Sequence, residues 1–372
     1  MTTLLLRMFL FGRSVWAVLA ALLVGSALIV TAGASPLDAY AALFGGAYFD
    51  YYGLASTLVK LSPILLAGLA VAIPLRAGLF NIGAEGQIYL GGLFGAAAAL
   101  HLPEMPGWLH VPVAMLAGAL GGGLWALIPA LLKAYRGVNE VIVTLLMNYI
   151  GLNLVSYFAG GPMMEEDAPY PYSPEIPEGL ILPSLLPGTD AHVGVAVALI
   201  LALSAWALLN RTPAGFALAT VGHNPVAAAY AGIRVRRQWI VAMVAGGAVA
   251  GLAGAFEVLG VKHRLFHLFA GGYGYDGIVV AFLASANPLL VPVAAFFLSG
   301  LKAGAAIMQR AIGIEATVVE AIQGLVVIFV AAGLALTPQT GWVARALARR
   351  RAAEAAAQPA AQGTARGQGA AP

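Results

Sequence analysis

The sequence predicts an all-α polytopic membrane protein of about ten transmembrane helices. Two observations carry that expectation. The 372 residues are 61% hydrophobic and only 9% charged, where a soluble domain is roughly a quarter charged. The apolar residues also gather in runs near the ~20-residue length that crosses a bilayer. A net charge of +3 does not indicate nucleic-acid binding, because the basic residues cluster in particular loops where membrane topology accounts for them. The chain has no cysteine, which excludes disulfides, a thiol nucleophile and thiolate metal sites.

Candidate spans lie near 14–34, 55–75, 85–101, 111–133, 139–160, 192–209, 239–260, 270–286, 289–308 and 316–338. The first follows a short segment, 1–13, with Arg7 and Arg13. Ala32-Gly-Ala34 would pass as a signal-peptidase site, but the apolar run before it is longer than a signal core, so it reads as a retained span. The membrane-embedded body is thus 14–338. The tail 339–372, rich in Ala, Arg, Gln and Gly, is expected to be cytoplasmic and largely disordered.

Lysine and arginine set the expected orientation. The loops 35–55 and 161–191 carry Asp38, Asp50, Glu165, Glu166, Asp167, Glu175, Glu178 and Asp190 with no basic residue. They belong outside. Arg76, Lys133, Arg136, the segment 211–238 and the tail belong in the cytoplasm, with both termini. Lys262, His263 and Arg264 fall on the wrong side of that count, so either the nearby spans re-enter or these residues sit in an outer vestibule.

Between the second and third spans lies Arg76-Ala-Gly-Leu-Phe-Asn-Ile-Gly-Ala-Glu-Gly-Gln87. Amides, a carboxylate and glycine-broken backbone at membrane depth are tolerated only against protein or a water-filled cavity. Asn81, Glu85 and Gln87 are therefore candidate path residues, although Glu85 equally suits a helix N-terminus. A counterpart in the second half is Gly271-Gly-Tyr-Gly-Tyr-Asp-Gly-Ile278, with Asp276 its acid. Its Tyr273 and Tyr275 suit either stacking on a nucleobase or an interfacial belt. Paired, interrupted segments of this kind point to a transporter's central path and to two related halves.

In Gly137-Val-Asn-Glu140, Asn139 reads as an N-cap and Glu140 as a first-turn acid. Glu140, Thr144 and Asn148 share one helix face, for interhelical hydrogen bonding or for a pore. Asn224-Pro225 reads as N-cap and first helical position of a short helix closed by Gly232. Too short to stand alone, it is expected to dock on a partner or on lipid headgroups. No metal, nucleophile or phosphate-loop motif is present, so any ATP is hydrolysed on another chain.

At 76–87, at Gly137 to Glu140 with Asn148-Tyr149, and at Gly222-His-Asn-Pro-Val-Ala-Ala-Ala-Tyr-Ala-Gly-Ile233 the sequence resembles ABC importer permeases of the ribose and branched-chain amino-acid type. It is most similar to their nucleoside and simple-sugar branch. The resemblance implies a chain of the bacterial inner membrane, paired with a second, non-identical permease. An external lipoprotein would deliver the solute, and a cytoplasmic ATPase carrying ATP and magnesium would drive transport. It also implies that Gly215, Gly222, Asn224, Pro225, Ala228, Tyr230 and Gly232 belong to the segment that couples to the ATPase. The competing expectation is a self-contained ion- or proton-coupled transporter using Glu85 or Asp276.

Overall fold

A computed structural model describes residues 2–103, 105–313 and 316–335. The basic tail expected over 339–372 lies outside the described residues. Among the described residues there is no strand beyond two isolated bridges, and thirteen α-helices make up the chain. These are α1 (Thr2–Thr31), α2 (Pro36–Phe49), α3 (Tyr51–Arg76), α4 (Ala84–His101), α5 (Gly107–Arg136), α6 (Glu140–Ala159), α7 (Gly194–Arg211), α8 (Pro213–His223), α9 (Pro225–Tyr230), α10 (Val235–Glu257), α11 (Tyr273–Leu283), α12 (Val291–Ile312) and α13 (Ala316–Ala335).

Each of the ten expected intervals holds a helix. Among the described residues six helices are long and apolar enough to cross a membrane unaided, and seven if Val18–Thr31 and Pro36–Phe49, bent by 116°, form one span. α11 explains part of the shortfall. Its 11 residues rise about 16 Å, half of a ~30 Å hydrocarbon core.

Two helices depart from the sequence expectation. Residues 35–55 are expected to be an outer loop, yet α2 occupies most of it. Ser35 accepts the Asp38 N–H at its start, Pro36 takes the first helical position, and Asp38 sits in the first turn. α8 begins the same way, with Thr212 accepting the Gly215 N–H at 3.2 Å ahead of Pro213. Both starts are written in the sequence as a hydroxyl residue followed by proline.

Residues 25–323 form one compact unit, and the described residues 2–24 with 324–335 belong to another. Within the first, α3 is the axis: its stretch from Leu61 to Pro74 is buried throughout. α4, α5 and α10 form the tightest packing. A Cβ on Gly91 would sit 2.2 Å from the Gly251 carbonyl oxygen, and one on Gly254 would sit 2.0 Å from that of Ile88. Helices so close pack backbone to backbone, as small residues permit in membranes.

The ends of this unit differ in charge. Arg76 donates to Asn210 at 2.7 Å, Arg236 lies over Tyr135, and Lys133 lies over Trp239. These contacts gather the basic residues at the end that carries α8 and α9. The acid-rich loop 161–193 forms the opposite end. Its backbone is fixed along the chain that follows α10: Leu182 N–H bonds to Leu259 O, Ile176 N–H to His263 O and Ser173 N–H to Leu265 O. Arg264 there donates to Glu165 and, at 3.3 Å, to Glu175. Of the basic residues that the charge count misplaced, Arg264 thus lies at the acidic end, neutralised by that loop.

Candidate functional site

The chain breaks between α3 and α4, and the break is held by side-chain amides. Gly78 turns the backbone at φ +75°. Asn81 then folds inward. Its amide donates to Ala70 O at 3.1 Å and to Gln87 Oε1 at 2.9 Å, while its own oxygen accepts from Gln87 at 3.0 Å and from the Gly83 N–H at 3.1 Å. Asn148, on α6, closes the other side. It accepts the Gly86 N–H at 2.8 Å and donates to Ile82 O at 2.9 Å, with the Tyr275 hydroxyl at 3.4 Å. Broken backbone in a bilayer leaves polar groups that water cannot reach; Asn81 and Asn148 satisfy those of Ala70, Ile82, Gly83 and Gly86, and Gln87 holds Asn81 in place.

Glu85, in the first turn of α4, is buried and reaches across to the start of α11. Its two oxygens accept the N–H groups of Gly272 (3.1 Å) and Gly274 (2.7 Å). The carboxylate therefore serves the positive end of a second helix as well as its own. The sequence's two interrupted stretches, 76–87 and 271–278, meet at this point.

Asp276, one turn into α11, is ion-paired with Lys302 of α12, and Lys302 also lies 5.7 Å from the Tyr273 ring. Sequence reasoning missed Lys302, which stands alone in an apolar run with no visible partner. A further carboxylate, Glu257, is buried where α10 passes into the π-helical turn Val258–Lys262, 3.6 Å from Lys262.

The polar stripe of α6 faces protein. Glu140 pairs with Lys133 at 2.8 Å, and the Thr144 hydroxyl returns to Glu140 O at 2.7 Å. Asn139 caps the helix by accepting the Val141 N–H at 2.9 Å. Glu140, Thr144 and Asn148 are all buried.

At the basic end, α8 and α9 form a bracket. A Cβ on Gly215 would meet the Leu208 and Leu209 carbonyls at 2.5 and 2.4 Å, so α8 turns back closely on α7. Gly222 approaches the break itself: a Cβ there would lie only 2.2 Å from Arg76 O and 3.0 Å from Gly78 N. Asn224 then accepts the N–H groups of Val226 and Ala227, both at 3.0 Å, with Pro225 at the first position of α9. Ala228 is buried, Gly232 closes the helix at φ +79°, and Tyr230 is 91% exposed. The expected short helix is present, and α8 ties it to 76–78.

No solved structure matches this chain. Among curated proteins it is 37% identical over 329 residues to the glucose ABC transporter permease protein TsgB13 of Haloferax volcanii, covering 86% of each chain. It is 37% identical over 329 residues to the guanosine ABC transporter permease protein NupP of Bacillus subtilis, covering 86% of this chain and 92% of the relative. The nucleoside ABC transporter permease protein NupB of Lactococcus lactis is 30% identical over 319 residues, 83% of this chain and 87% of the relative. Residues 53–331 match the family described as the permease component of branched-chain amino acid transport systems. With six membrane-length helices around a polar break, the chain belongs to that family and is a multi-pass permease subunit of an ABC importer.

Proposed function

We propose that this chain, paired with a second permease, forms the path by which a nucleoside or simple sugar enters the cell. A separate ABC ATPase binding ATP and magnesium supplies the power. The names of the relatives, which cover guanosine, nucleosides and glucose, support the solute class. The basic end is cytoplasmic with both termini, by the positive-inside rule. The acidic loop 161–193 faces an external solute-binding lipoprotein.

The observation that carries this reading is the contact of Gly222 with Arg76 and Gly78. α9 presents Val226 and Tyr230 to solvent, as a docking element does. α8 then links that element to the backbone break. A push on α9 is delivered to the loop that holds Asn81 and to the first turn of α4, where Glu85 engages α11. Two packed arrangements of that junction, inward- and outward-facing, supply alternating access. The wall of the path is supported by Asn81, Glu85, Gln87, Asn148 and Asp276, with Asn139, Glu140 and Thr144 towards its basic end.

The test replaces Asn224 and Pro225 together by glycine, which removes the cap and the fixed first turn. ATP-driven uptake of guanosine or glucose should fall while capture by the external protein is unchanged. Uptake at the wild-type rate would refute the coupling role.

A further inference from the structure

Of the helices in the first unit that turn exposed faces outward, α5, α6 and α7 among them, α6 differs in chemistry. α5 presents Leu116, Leu120, Leu124 and Ile128, and α7 presents Leu199, Ile200 and Leu203. Those are hydrocarbon faces suited to lipid. α6 presents Tyr149, 60% exposed, and Tyr157, 66% exposed, with exposed Asn153 between them. The spacing of four places the three on one ridge, flanked by Ile142, Leu146 and Ile150. Tyr149, Asn153 and Tyr157 line a shallow open groove with Ile150 and Leu154.

Neighbouring chain extends this polar character. Ser156 is hydrogen-bonded to exposed His267, and Tyr275, 40% exposed, lies beside Asn148 and within electrostatic reach of Tyr149. An aromatic belt accounts for Tyr157 near the end of α6 but not for Tyr149 and Asn153, because belts lie at the two membrane interfaces. Tyr149 is the tenth of the twenty residues of α6, at mid-depth. Asn153 spends one amide hydrogen on Tyr149 O at 2.7 Å. Its oxygen and second hydrogen remain as an acceptor and a donor side by side. Such a group facing acyl chains is costly.

We infer that the Tyr149, Asn153 and Tyr157 ridge, with Tyr275, is a wetted wall of the path and contacts the base of a nucleoside. This rests on the proposed reading of the chain as a solute path and names the residues that meet the solute. Tyrosine rings offer stacking surfaces to a planar heterocycle, and base–aromatic stacking tolerates different bases. The paired donor and acceptor of Asn153 match the edge of a purine or pyrimidine. The buried face of α6, with Glu140, Thr144 and Asn148, holds the helix to the bundle.

The absence of native cysteine allows a direct test in the complete transporter in membrane vesicles. Tyr149→Cys and Asn153→Cys should react with a membrane-impermeant methanethiosulfonate at least about tenfold faster than Leu120→Cys on α5, since lipid-facing thiols are shielded from water. Saturating guanosine should slow both reactions. Tyr149→Leu should lower guanosine uptake roughly tenfold, and Tyr149→Phe, which keeps the ring, should retain most of it. Equal labelling at all three positions, in vesicles where the wild-type assembly shows ATP-driven uptake, would overturn the wall and leave the permease reading standing. Protection by glucose but not by guanosine would overturn the contact with a base. A wild-type assembly that moves no nucleoside or sugar with ATP would instead sink the permease reading.

Discussion

Glu85 and Gly274 are 189 residues apart in the chain and joined by a 2.7 Å hydrogen bond, the carboxylate accepting the backbone N–H. With the second bond to Gly272, one buried side chain fixes the start of α11 against α4. Hydrogen bonds to an ionised group are about twice as strong as neutral ones, and the junction is expected to respond accordingly.

Glu85→Gln keeps one acceptor but turns an amide N–H₂ toward a backbone N–H. The loss should be about 1–3 kcal/mol of stability, as for a buried donor left unsatisfied. A lower thermal midpoint in detergent, together with reduced uptake, is the expected outcome. An unchanged midpoint would remove the carboxylate from the junction.

Gly274→Ala tests the same contact from the other side. The added methyl group would lie 2.2 Å from Glu85 N and 2.4 Å from Glu85 Cα, both part of the α4 backbone. Overpacking of this kind costs about 1–3 kcal/mol or more. Gly179→Ala, with nothing within 4 Å, is the matched control and should behave as wild type in a melting experiment.

His192 gives a pH dependence outside the spanning helices. Burial, followed by the nearby His263, pushes its imidazole down to about 4. Its Nδ1 accepts the Gly194 N–H at 3.1 Å, a bond that the neutral ring alone can make. The unfolded ring titrates near ~6.5, so the stabilising contribution is complete above that pH. It is lost as pH falls through about 4, by up to about 3 kcal/mol. Melting midpoints measured between those values should slope downward with acid, and His192→Phe should flatten the slope.

Tyr230→Ala separates coupling from folding. The side chain is 91% exposed, so its removal should change stability by no more than about 0.5 kcal/mol. ATP-driven uptake should drop severalfold. Co-purification with the ATPase reads the same contact, and full retention of both would place docking elsewhere.

The hydrocarbon runs make the ten helical intervals legible, and Asn224-Pro225 marks α9 because a cap and a fixed first turn are local devices. Other features are hidden for physical reasons. Periodicity shows that Glu140, Thr144 and Asn148 share a face but not which face neighbouring helices cover. The partners of Glu85 and Asp276 are far away in sequence, so a carboxylate at a helix start reads only as its own helix's charge. α2 and α8 carry the Ser-Pro and Thr-Pro signals that begin helices. They stand in segments whose acidic and basic residues mark them as loops, and that charge masks the helix signal.

The near contact of α4, α5 and α10, through Gly91, Gly251 and Gly254, leaves no room for one of them to slide on another. Those three must travel as a single stiff block. Any change of shape during a cycle then concentrates around that block, at the turn of Gly78 and at the junction of the half-length α11 with α4. A crosslink that pins α4 to α10 should therefore be harmless to turnover, whereas one that pins α11 to α4 should stall it.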